Sequence, residues 1–95
     1  MEWNMPPVGI QTGLVIDDTA GGKTLTVPTA ARAALITVYG APIRFWTDGT
    51  APTNATGHRA DVYDQIELPN RKELVNFKAI REGGTNATLE VTYYG

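Results

Sequence analysis

Apolar and polar residues alternate along most of this chain with a period of two, and turn-forming residues interrupt the pattern about every ten positions. Leu14-Val15-Ile16 reads as a short strand closed by the turn cluster Asp17 to Gly22. Lys23-Thr24-Leu25-Thr26-Val27 alternates polar and apolar, as a half-buried strand does, and Pro28 ends it. The longest apolar run, Ala34 to Tyr39, puts Ala34, Ile36 and Val38 on one face and Leu35, Thr37 and Tyr39 on the other. With both faces able to be covered, it is expected to be a central strand. Gly40-Ala41-Pro42 then bends the chain into Ile43 to Trp46. Ile43 and Phe45 are expected to face the core, and Arg44 and Trp46 the opposite side. Thr47-Asp48-Gly49-Thr50 carries the Asp-Gly signature of a tight turn.

The second half continues the pattern. His58 to Tyr63 and Gln65 to Leu68 read as one or two strands broken near Asp64. Asn70 to Leu74 predicts a single helical turn, with Asn70 as N-cap and Glu73 three residues on. Val75 to Arg81 predicts a strand with Phe77 and Ala79 on one face. Gly83 to Asn86 is a turn, and Ala87 to Tyr94 alternates with Leu89, Val91 and Tyr93 together. Seven or eight short strands at this spacing predict an all-β fold. The expected form is a single antiparallel β-sandwich over residues 13–95, jelly-roll-like, with an immunoglobulin-like sandwich as the alternative. Residues 1–12, with Pro6-Pro7 and little periodicity, read as an extended N-terminal arm. Two readings of it stand side by side. It is a frayed terminus, or it docks on a neighbouring subunit through Trp3 and Met5, since a lone tryptophan in a polar tail calls for a place to bury.

Composition narrows the function. Ninety-five residues make one domain. A chain of that length buries only about 60–65% of its unfolded surface, so subunit contacts are an obvious way to add burial. Cysteine is absent, which removes disulfides and thiolate metal sites. Eight basic and ten acidic residues give a net charge of -2. Lys and Arg are scattered, with only Arg71-Lys72 adjacent, so nucleic acid is not an expected partner. No run approaches the ~20 apolar residues of a membrane span, and the start lacks the order of a signal peptide, so no membrane partner is expected.

Candidate chemistry is sparse. His58 is the single histidine, and Asp61, three residues on, would lie on the opposite face of a strand. The inventory does not comfortably supply three or four zinc ligands, and neither metal nor cofactor is expected. Asp61, Asp64 and Glu67 are acidic turn residues before they are a glycosidase pair. Gly21-Gly22-Lys23-Thr24 lacks the first glycine of a phosphate loop, because Asp17 stands there. Trp46, Arg44, Tyr39, Tyr93 and Tyr94 could form a sugar-stacking platform, set against the commoner role of aromatics in cores and interfaces. A protein that works by packing, and not an enzyme, is the expectation.

The blocks ALITVYGAPIRFWTDGTAPTNATGH, QIELPN and VNFKAIREGGTNATLEVTYYG resemble a group of small virion structural proteins of tailed bacteriophages and prophages. The resemblance rests on Ala34 to Thr53, Ile66 to Leu68 and Phe77 to Tyr94, roughly the last two thirds of the chain. It implies a capsid decoration (cement) protein that binds the major capsid protein, stabilises the head and assembles as a homo-oligomer, commonly a trimer. The place of action would be the capsid surface of the virion, after synthesis in the host cytoplasm. The second expectation is a carbohydrate- or receptor-binding module of a tail or fibre. Trp3, Met5, Arg44, Trp46, Asp48 and Tyr94 are the residues expected to meet a partner.

Overall fold

The computed structural model describes residues 4–95, as two antiparallel sheets packed face to face with a single short helix between strands. In chain order the elements are β1 (Pro7–Ile16), β2 (Ala33–Tyr39), β3 (Ile43–Trp46), β4 (His58–Ala60), β5 (Gln65–Leu68), α1 (Arg71–Asn76), β6 (Lys78–Arg81) and β7 (Ala87–Tyr94). The first sheet has the order β1-β7-β2-β5 and the second β4-β3-β6. After β2 the chain changes sheet at every connection except the β3–β4 hairpin. Between β1 and β2 it touches the second sheet at one point, where Lys23 bridges Ala79 of β6. Counted as an eighth strand, that point gives both sheets the interleaved order of a jelly roll. The immunoglobulin-like alternative puts the last strand in one sheet with the third and sixth; here β7 lies between β1 and β2.

The periodicity places side chains well. β7 alternates buried and half-buried over its whole length, with Leu89, Val91 and Tyr93 inward. β2 is central, between β7 and β5, and buries Ala34, Ile36 and Val38. Its outer face is only half-covered, through Leu35 and Thr37, and ends in exposed Tyr39. Ile43 is fully buried, and Phe45 packs against the core cluster. The core is completed by Ile16, Leu68, Leu74 and Phe77. Each large apolar side chain so buried contributes about 1.5–3 kcal/mol relative to exposure. Among the described residues no buried side-chain nitrogen or oxygen lacks a hydrogen-bond partner.

Three elements depart from the sequence expectation. The first strand starts at Pro7, so residues 7–12 of the expected arm belong to a strand that pairs with β7. Two register shifts, at Pro7/Gly9 and Gln11/Leu14, break the simple alternation there. The segment 23–27 is not a strand beyond the Lys23 bridge. Leu25 is buried and Val27 packs against the core, but the Thr26 amide goes to the Gln11 side chain and not to a ladder. Alternation there reports burial without pairing. Val75 and Asn76 belong to α1, which Asn70 caps by accepting from the Glu73 amide at 3.0 Å.

The sheet edges are blunt. β4 has three residues and β5 four, and β1 carries its two shifts and begins at a proline.

Candidate functional site

The outer face of the second sheet holds two of the residues expected to meet a partner. Arg44, in β3, stands across from Arg59 of β4 on one side and Ile80 of β6 on the other. Two adjacent guanidiniums would repel, and Glu82, just past β6, resolves this. Arg44 Nε donates to Glu82 at 2.8 Å, and Arg59 Nε donates to both of its carboxylate oxygens at 3.0 and 2.9 Å. Arg44 also donates to the Gly57 carbonyl, and Arg59 to Asp61. The Arg59 guanidinium holds the Glu82 carboxyl below the usual range, and Glu82 in turn raises Arg59. Arg44 is therefore a positioned member of an ion network.

Trp46 follows on the same face and is half-buried. Its ring meets His58 edge-on at 5.2 Å, and His58 leans on Phe45 at 5.4 Å. The single histidine thus packs among aromatics. The carboxylates near it are occupied by local structure: Asp64 accepts the Asp61 amide at 2.8 Å, and Asp61 accepts the Val62 amide. The Val62 amide first, and then the Arg59 guanidinium, hold Asp61 below the usual carboxylate range. Among the described residues no group of three His, Asp or Glu side chains is placed to hold a metal.

Asp48 heads the long β3–β4 loop. Its carboxylate accepts the Thr50 amide at 3.0 Å, which keeps its pKa low. Thr53 and Thr56 exchange backbone hydrogen bonds, and their hydroxyls are 2.7 Å apart, so this exposed loop is pinned by its own side chains. Tyr94 lies at the end of β7, across from Pro7 and Ala33, at the first sheet. Met5 is half-buried beside a hollow of about 270 Å3 that it shares with Arg32, Pro69, Asn70 and Arg71. Trp3 lies outside the described residues. The five that are described do not gather into one site. The five-member sugar platform does not assemble either, because Tyr93 is fully buried and Tyr39 belongs to the other sheet.

Comparison with protein-family models, curated proteins and solved structures found no match for this chain.

Two surfaces that strand-by-strand reading does not reveal come from the topology. The first is the outer face of the four-stranded sheet. Register aligns Ile10, Thr92, Leu35 and Glu67 across its four strands, and Val15, Thr88 and Tyr39 across three. Ile10 is 73% exposed, and Val15 and Tyr39 are also exposed. Tyr63, 73% exposed, extends the row by an edge-on contact with Tyr39 at 5.8 Å. Tyr63 sits in the left-handed region at φ 71, held by its amide bond to the Val38 carbonyl. Tyr63 thus presents its aromatic ring to solvent from a backbone conformation uncommon outside glycine.

The second surface is an open cleft of about 490 Å3 between the turn after β1, the loop at residues 51–54 and the end of β6. Pro52 and Ile80 contribute apolar wall, and Asp18, Asn54 and Arg81 contribute polar groups. Gly22 shows how tightly the walls join: a methyl group there would stand 3.1 Å from both Pro52 and Lys78.

Proposed function

We propose that this protein is a structural component of a tailed-bacteriophage virion, a head-decoration protein that attaches to the major capsid protein by packing. The observation that carries the reading is the outer face of the β1-β7-β2-β5 sheet, where exposed Ile10, Val15, Tyr39 and Tyr63 and half-buried Leu35 share one surface, with Thr92 and Thr88 between them. A persistent contact needs about 800 Å² on each partner, and a four-stranded face is of the right kind to supply it. Glu67 ends one row and Glu90 lies between the two, so a partner has to meet these carboxylates with a cation or a hydrogen-bond donor. The resemblance of Ala34 to Thr53, Ile66 to Leu68 and Phe77 to Tyr94 to small virion proteins supports the same reading and supplies the capsid as the partner.

Copy number and binding test it together. Purified particles are expected to carry hundreds of copies, and Ile10→Glu with Tyr39→Glu is expected to abolish binding to assembled shells while the thermal transition stays cooperative. A dozen or fewer copies per particle would sink the decoration role and move the protein to neck, tail or fibre. Retained incorporation with loss of receptor attachment in Trp46→Ala or Arg44→Ala would favour the carbohydrate- or receptor-binding alternative.

A further inference from the structure

The cleft beside β6 and the segment preceding Met5 have matching chemistry, and chain geometry keeps them apart within one molecule. The cleft volume of about 490 Å3 lies in the range of preformed binding sites. Its walls are fixed by the Lys23–Ala79 bridge, with hydrogen bonds of 2.7 and 3.0 Å, and by the Thr53–Thr56 exchange. Ile80 and Pro52 offer apolar surface, and Arg81 is poised at the rim. Asn86 accepts from Arg81 at 2.7 Å, and Asp18, whose side chain is 76% exposed, lies 3.4 Å from the same guanidinium. A guanidinium has five N–H donors, so this one can serve another carboxylate.

The sequence before Met5 sets an acid directly beside a tryptophan, Glu2-Trp3. Met5 sits near the Pro7 end of β1, and Asp18 stands two residues past the other end. Ten residues at about 3.3 Å each separate those ends by about 30 Å. Trp3 is two residues from Met5, a reach of about 7 Å. It cannot enter the cleft of its own chain.

We propose that the cleft receives Glu2-Trp3 of a second copy, with the indole over Ile80 and Pro52 and the Glu2 carboxylate on Arg81. Each copy then gives an arm at one end and takes one at the other. Such a contact is head-to-tail, and it closes into a ring or runs on as a chain. The proposal holds independently of where the protein acts.

Sedimentation velocity on the full chain tests it. The wild type is expected to sediment well above the 10.3 kDa monomer in a concentration-dependent way. Trp3→Ala and Ile80→Asp are each expected to weaken association at least tenfold, with the thermal transition of each variant checked for cooperativity. Arg81→Glu is expected to weaken it, and Glu2→Arg added to Arg81→Glu to restore it. In a Trp46→Phe background, Trp3 emission should shift to the blue on association and stay red in Ile80→Asp. A wild type that remains monomeric at millimolar concentration overturns the proposal. So does an oligomer that survives both Trp3→Ala and Ile80→Asp, which would assign the arm to another surface such as the capsid.

Discussion

The Tyr93 hydroxyl donates to Oε1 of Gln11 at 2.8 Å, and the same oxygen accepts the Thr26 amide at 3.1 Å. One side-chain carbonyl thereby joins β7, β1 and the segment that stands in for an eighth strand. Tyr93 is fully buried, and burial pushes its hydroxyl up to about 12.

Tyr93→Phe should cost about 1 kcal/mol in urea unfolding at neutral pH, since Gln11 keeps Thr26 as a donor. The alkaline response carries the sharper signature. A raised folded pKa gives a contribution fully present below the ordinary value of 10.0 and lost as pH rises through about 12. The wild type should thus lose up to about 2–3 kcal/mol across that interval on account of Tyr93. Tyr93→Phe should lack this part of the slope. Identical pH dependence in the two proteins would refute the assignment.

Glu82 predicts the opposite limb. Its lowered pKa gives a contribution present above the ordinary carboxylate value of 4.5 and lost as pH falls below it. Glu82→Gln leaves Arg44 and Arg59 facing each other across β3 and β4. The variant is expected to unfold at lower urea at pH 7, to approach the wild type as pH falls below 4.5, and to be helped by added salt, which screens the paired cations. Equal midpoints at pH 7 would show that the network contributes nothing.

Gly57 and Gly83 form a matched pair. Gly57 has φ 120, and a methyl group there would lie 3.0 Å from the Phe45 carbonyl oxygen and 3.2 Å from its nitrogen. Gly57→Ala should cost about 2 kcal/mol or more and detach β4 from β3. At Gly83 nothing lies within 4 Å. Gly83→Ala should be neutral or stabilising by up to about 1 kcal/mol. Thermal melts of the two variants decide the point, and a comparable loss in both would contradict it.

Local signals carried much of the fold. The alternation of Ala87 to Tyr94 and of Ile43 to Phe45 fixes which side chains turn inward, and Asn70 with Glu73 marks the start of α1. These are interactions between residues one to four apart. What stayed hidden depends on pairings far apart in the chain. Arg44 finds Glu82 across 38 positions, and Tyr93 finds Gln11 across 82. The row from Ile10 to Leu35 exists only once β7 sits between β1 and β2. The segment 23–27 misleads for the same reason, since an alternating pattern cannot say whether a neighbouring strand is there to pair with it.

The blunt edges of both sheets bear on how such a molecule behaves when crowded. Runaway growth by adding strand to strand needs a long, regular, unpaired border, and short β4, short β5 and twice-shifted β1 withhold one. Borders of that kind work against fibril growth when the protein is concentrated.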